Sequence, residues 1–216
     1  MNQSYFSEKD FNVFTIEGLD ERMEALTEIV RPKFHELGAQ YASYFSAATG
    51  DEFFYHVAKH ARRTVNPPKD SWVAFAPYKR GYKSLPHFQI GLWNSHLFIA
   101  VAVIYEAPNK QEMATRLLNS LDVFQNIDET YSISGDHMSP VYEKLISDRK
   151  NEQLTALLTR LHNVKKGEFL IGRFLTAEEA SKLTEQQFNE LASETFNTLL
   201  PIYNVMANKS HPVHAE

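Results

Sequence analysis

Residues 56–87, HVAKHARRTVNPPKDSWVAFAPYKRGYKSLPH, place three histidines and seven cations within 32 positions. The cations are Lys59, Arg62, Arg63, Lys69, Lys79, Arg80 and Lys83, and the only acid is Asp70. The segment therefore carries +6, within a chain whose formal charge is −5, so the remainder carries −11. Guanidinium and ammonium groups bind phosphate or carboxylate through charge-assisted hydrogen bonds, while an acidic remainder discourages indiscriminate polyanion binding. The expected ligand is an anionic small molecule bearing phosphate or carboxylate. Arg62, Arg63, Lys79, Arg80 and Lys83 would supply charge, with Tyr82 and Gln89 as further contacts. His56, His60 and His87 are the catalytic candidates, because imidazole orients ligands and shuttles protons near neutral pH.

Other ligands and chemistries weigh against this reading. Tyr78-Lys-Arg-Gly-Tyr-Lys83 alternates cations with aromatics around Gly81, which also suits stacking of bases in RNA or single-stranded nucleic acid. The same basic edge would also dock an acidic protein partner. A strand over residues 53–63 puts His56 and His60 about 13 Å apart at ~3.3 Å per residue, too far to share a metal ion. A helix would bring them together, but Phe53-Phe54-Tyr55 favours a strand, and no metal-ligand set is assigned. His35-Glu36 opens an H-E-x-x-H-like string that fails at Ala39. Weaker candidates are His96, Asp136-His137, which suits either an acid/base pair or an ordinary capped turn, and Arg173.

The elements that must hold these residues follow from hydrophobic period. Met23, Leu26, Ile29 and Val30 predict a helix capped by Asp20, with Glu21 and Glu24 in its first turn, kinked or restarted by Pro32 and running to about Phe45. Phe53–Lys59, Trp72–Ala76, His87–Trp93 and Leu97–Tyr105 are rich in aromatic and β-branched residues, and four strands without intervening helices imply antiparallel pairing. Leu97–Ile104 is apolar on both faces, so that strand belongs at the centre. Helices are predicted at Gln111–Gln125, Val141–Ile146 after the Ser139-Pro140 cap, and Asn151–His162, with strands at Tyr131–Ser134 and Phe169–Phe174. Two capping boxes, Thr176 to Glu179 and Thr184 to Gln187, introduce a final helix bent near Pro201. The fold class expected is α+β, an antiparallel-rich sheet with helices packed on it, in one domain with a polar tail over 206–216 that carries His211 and His214.

Absences narrow the function. The 216 residues include no cysteine, which excludes thiol redox chemistry, thiolate metal sites and disulfides. No G-x-G-x-x-G, G-x-x-x-x-G-K-[ST], G-x-S-x-G or calcium-loop pattern occurs. The longest apolar run, Leu97–Tyr105, has 9 residues against the roughly 20 of a membrane helix, and the opening residues lack a signal-peptide pattern. A cytoplasmic location is expected, with no membrane partner.

The block GDEFFYHVAKHARRTVNPPKDSWVAFA, followed by KRGYKSLPHFQIGLWNSHLF, closely resembles the central part of the YktB-like family, uncharacterised proteins of low-GC Gram-positive bacteria grouped as a domain of unknown function. The resemblance extends from the GLDERMEALTEIVRPK helix to the KLTEQQFNEL helix. It implies a two-layer sandwich similar to the catalytic core of class II synthetases and biotin or lipoate ligases. It implies no activity, cofactor or oligomeric state, and no glycine-rich adenylate loop accompanies it.

Overall fold

In the computed structural model, which describes residues 4–209, helices α1 (Glu8–Asn12), α2 (Leu19–Ala25) and α3 (Arg31–Thr49) precede strands β1 (Phe54–Val57), β2 (Asp70–Ala76), β3 (His87–Trp93) and β4 (His96–Val103). Then follow α4 (Lys110–Leu118), β5 (Tyr131–Ser134), β6 (Glu143–Lys144), α5 (Lys150–Asn163), β7 (Phe169–Thr176), α6 (Ala177–Ala180) and α7 (Glu185–Met206). The class is α+β, with an open antiparallel sheet in the order β1-β2-β3-β4-β7-β5-β6. The predicted polar tail, with His211 and His214, lies outside the described residues.

Local chemistry explains most boundaries. Gly18, at φ 86°, is the N-cap of α2 in place of the predicted Asp20, which falls in the first turn, so the helix starts two residues earlier than expected. A π turn at Leu26–Val30 joins α2 to α3, and the Arg31 N–H reaches back to the Leu26 carbonyl. Pro32 follows immediately; it cannot donate to the helix ladder, so a wider turn just before it accommodates the change. Asn94-Ser95 joins β3 to β4, and all eight residues of β4 are buried, as an apolar strand at the middle of the sheet requires. Both predicted capping boxes form: Thr176 with Glu179 and Thr184 with Gln187.

Two expectations are corrected. Val141–Ile146 is not a helix. Glu143 and Lys144 form β6 on the edge of the sheet, opposite Ile133 and Ser132, and the Ser139 hydroxyl accepts from the Val141 N–H in a local turn instead of capping a helix. Strand pairing with β5 outweighs the Ser-Pro start signal. The predicted Gln111–Gln125 helix ends at Leu118, and a 3₁₀ turn at Leu121–Phe124 takes its place.

The chain divides into two compact units. The first comprises Met1–Tyr82, Phe88–Ile99 and Phe174–Ala192. Here β1, β2 and β3 pair so that Tyr55, Phe75 and Phe88 lie side by side, as do His56, Ala74 and Gln89. Directly opposed residues in antiparallel strands share a face. The Tyr55 face packs on α3: Phe45 stacks on Phe88 at 4.1 Å between ring centroids, and Gly38 gives room for the Tyr55 ring. The other face carries His56, Trp72, Ala74, Gln89 and Gly91.

The second unit comprises Lys83–His87, Ala100–Arg173 and Ser193–Glu216. Strand β5 pairs with β7 and β6, and α4 packs on α5. At the junction of those helices the buried Lys110 Nζ donates to the carbonyls of Leu161, Val164 and Gly167 at 2.9, 2.7 and 3.0 Å. The ammonium thus adds a donor to carbonyls at and just beyond the end of α5, where the helix ladder supplies none.

Candidate functional site

The sheet face turned away from α3 builds the candidate site. Ala74 and Gly91 keep its floor low; a Cβ on Gly91 would lie 2.2 Å from the Phe98 ring and 2.8 Å from the Trp72 Cβ. Over this floor the Trp72 indole N–H donates to the Tyr82 hydroxyl at 2.8 Å. The Tyr82 ring lies 5.7 Å from the His56 ring, and the His60 ring stands edge-on to Trp72 at 5.6 Å. The two histidines that a strand would separate therefore flank one Trp–Tyr pair. Gln89, buried in β3, shares the row with His56.

The predicted strand over 53–63 stops at Val57. His60 has φ 51°, a left-handed conformation uncommon for a residue with a side chain, and this bends the chain so that the ring returns toward β2. Its Nε2 lies 3.4 Å from the Ser71 hydroxyl. His56 is in β1, with Nε2 3.0 Å from the Tyr78 carbonyl. A helical i, i+4 metal pair is thus excluded by the backbone.

Charge gathers beside His60. Burial, then Arg63, then Arg31, push the His60 imidazole down to about 4. Burial and Arg63 likewise lower the pKa of Arg22. Arg22 donates to the carbonyls of Ile16 and Pro68, both at 2.8 Å, and Arg31 to the carbonyl of Lys59 at 2.9 Å. Arg63 donates to the Asn66 carbonyl at 3.3 Å. None of these three guanidinium groups is paired with a carboxylate among the described residues, and the Arg31 Nε is buried without a hydrogen-bond partner. Burial lowers the His56 imidazole, opposed by its bond to the Tyr78 carbonyl.

The remaining sequence candidates divide. Arg62, Lys79 and Arg80 are exposed and meet no acid among the described residues. Lys83 is neutralised by Glu106 at 2.7 Å, and His87 is buried with Nδ1 2.8 Å from the Leu85 carbonyl; both belong to the second unit. Of the weaker candidates, His96 is packed among Trp93, Phe98 and Phe174, where burial carries it down to about 4, and Arg173 pairs with Glu194 at 3.0 Å. Sequence reading missed Arg22 and Arg31. They lie in the first helical region, and only the return of the chain beside it brings them to the basic loop. A second grouping, Asp136, His137 and Glu168, forms in the other unit, as does a groove of about 430 Å³ lined by Ser134, Gly135, Tyr142, Arg149 and Arg160 among others.

An antiparallel α+β protein with a polar, cation-rimmed sheet face is the class these features define. The family described as a domain of unknown function, DUF1054, matches residues 6–203. The UPF0637 protein of Lysinibacillus sphaericus is 61% identical over 204 residues, covering 94% of this chain and 96% of that protein. The UPF0637 proteins of Staphylococcus epidermidis and Bacillus cereus are 47% and 48% identical, each over 94% of this chain, covering 100% and 98% of their own lengths. The chain belongs to this DUF1054/UPF0637 family, in agreement with the resemblance read from its central block. Among the described residues no helix is long and apolar enough to cross a membrane.

Proposed function

We propose that the protein binds a small molecule bearing a phosphate or carboxylate at the His60 corner of the first unit, from a cytoplasmic pool. One observation carries this reading: Arg31 and Arg63 act on the His60 imidazole and Arg22 on Arg63, and none of the three is paired with a carboxylate among the described residues. Like charges held together repel, and a bound anion relieves that repulsion while accepting the N–H groups left over from loop bracing. The Trp72–Tyr82 pair and His56 offer a flat aromatic wall for the rest of the ligand, and Gln89 offers an amide. The two-layer arrangement of class II synthetases and biotin or lipoate ligases remains part of the proposal as a likeness of fold, and no adenylating activity accompanies it.

Anion binding also moves a proton. Arg63 and Arg31 disfavour His60 protonation, so an anion that masks them raises its pKa and binding takes up protons as pH falls. The test is calorimetry with inorganic phosphate, pyrophosphate and citrate, on the native protein and on Arg31→Gln/Arg63→Gln. The reading expects at least a tenfold loss of affinity in the double variant, with heats that depend on buffer ionisation near pH 5. Equal affinities in both proteins would reject it. A steep fall of affinity with salt would instead point to a polyanion that spans many phosphates.

A further inference from the structure

The second unit presents a site of opposite character. Asp136 and His137 lie in the turn after β5, and Glu168 directly precedes β7. Strand pairing sets Ser134 opposite Leu170, which brings residues 31 positions apart in sequence to the same end of the β5–β7 pair. His137 Nδ1 lies 2.9 and 2.8 Å from the two Glu168 carboxylate oxygens. Those oxygens also accept the backbone N–H groups of His137 at 2.7 Å and Tyr105 at 3.2 Å. Burial alone would raise the Glu168 carboxyl, but the His137 side-chain and backbone bonds outweigh it and hold the group below its usual range. Glu168 is buried, His137 half-buried and Asp136 exposed, and one donor atom from each lies within 4.8 Å of the other two.

We propose that Asp136, His137 and Glu168 bind a divalent first-row transition-metal ion. Two donors bonded to one such ion at about 2.0–2.2 Å stand roughly 3–4.4 Å apart, so the His137–Glu168 pair is already close to chelating distance. The ion takes the place of the proton shared by Nδ1 and the carboxylate. The backbone amides of His137 and Tyr105 stay on Glu168 and fix its orientation, as partners of ligating carboxylates do. Asp136, on the exposed side, closes the triangle, and its Oδ1 is steadied by the Met138 N–H at 2.8 Å. One imidazole with two carboxylates suits Mn²⁺, Co²⁺, Ni²⁺ or Zn²⁺, and the absence of thiolate disfavours softer ions. The neighbouring cation, Lys110, keeps its ammonium on three carbonyls and does not occupy the carboxylates. A cap for the turn would need Glu168 alone; it would not need a histidine and a second carboxylate converging on the same point.

The experiment is titration of the full chain with Mn²⁺, Co²⁺ and Ni²⁺, followed by calorimetry and by the visible absorption of the Co²⁺ form. His211→Ala/His214→Ala serves as the background, so that uptake by those histidines is removed. The expected result is one equivalent bound, with affinity rising from Mn²⁺ to Co²⁺ to Ni²⁺. At a hundredfold excess over Kd, Tm should rise by roughly 5–10 °C. Asp136→Asn keeps the oxygen that accepts from Met138 and should fold, yet lower affinity at least tenfold and change the Co²⁺ spectrum; His137→Gln should do the same. No uptake by the background protein, or undiminished uptake by folded Asp136→Asn and His137→Gln, would overturn the proposal.

Discussion

His60 and His137 sit at the ends of short strands in two different units, in opposite electrical settings. Around His60 the neighbours are Arg63 and Arg31, and the imidazole is driven down to about 4. Around His137 the neighbour is the carboxylate of Glu168, at hydrogen-bond distance from Nδ1. The first histidine is kept neutral among cations, a setting that favours an arriving anion. The second already has its anion, built into the fold, a setting that favours a metal ion. The lesson is that a histidine's role is set by the charge packed beside it, and neither the residue nor its strand-end position reveals which setting applies.

The same contrast predicts where substitution is costly. Removing buried Glu168 takes the acceptor from the His137 and Tyr105 N–H groups and from the His137 imidazole, so Glu168→Ala should lower stability by about 3 kcal/mol, read as a loss of roughly 6–12 °C in Tm. A Tm unchanged within 2 °C would show that the second unit does not depend on its internal carboxylate. Next in size is Lys110→Met, which frees the carbonyls of Leu161, Val164 and Gly167; it should cost about 2 kcal/mol by denaturant titration.

A third prediction separates the two settings by pH. The unfolded chain takes up a proton at each histidine near 6.5, whereas native His60 and His96 do so only near 4. Between those values the unfolded state holds more protons, so stability falls as pH drops from 6.5 to 4, by about 3 kcal/mol for each histidine. His60→Asn, chosen because asparagine tolerates positive φ, should remove about half of that fall and leave the His96 share. Glu168, held low, contributes stability above its unfolded pKa of about 4.5 and loses it on further acidification, so Glu168→Gln should cost stability above pH 4.5 and flatten the fall in stability below it. Identical pH profiles for native protein and His60→Asn would remove the contrast. The smallest effect is expected from Arg63→Ala, whose side chain makes one long hydrogen bond: under about 0.5 kcal/mol in stability, against a several-fold loss of affinity for pyrophosphate. A larger destabilisation would mean that this guanidinium braces the loop more than it serves a ligand.

Elements with strong period were legible in the sequence. β3 and β5 begin and end at the predicted residues, because aromatic and β-branched runs bounded by turn residues have few other uses. The all-apolar Leu97–Ile104 stretch announced a central strand. Val141–Ile146 was misread because the Ser139-Pro140 start signal is local, whereas β6 exists only by pairing with β5. The basic segment was visible as charge, but its members meet different partners. Arg63 and His60 stay together, Lys83 turns to Glu106, and Arg22 and Arg31 arrive from helical residues with no sequence mark of their own. Asp136-His137 was visible as a pair; Glu168 was not, since nothing in its neighbourhood signals a partner 31 residues earlier.

The sequence by itself determined the α+β class, the antiparallel order of the first four strands, both capping boxes, the absence of thiol chemistry, and a cation-rich segment set against an acidic remainder. These depend on residue type and on spacings of a few positions, where propensity, period and charge act directly. Only the tertiary structure decided which cations lack an acid, that His60 returns to Trp72, and that Glu168 closes on His137. Those outcomes depend on strand register and on helices meeting loops dozens of residues away, and Coulomb and hydrogen-bond energies follow distance in space instead of distance along the chain.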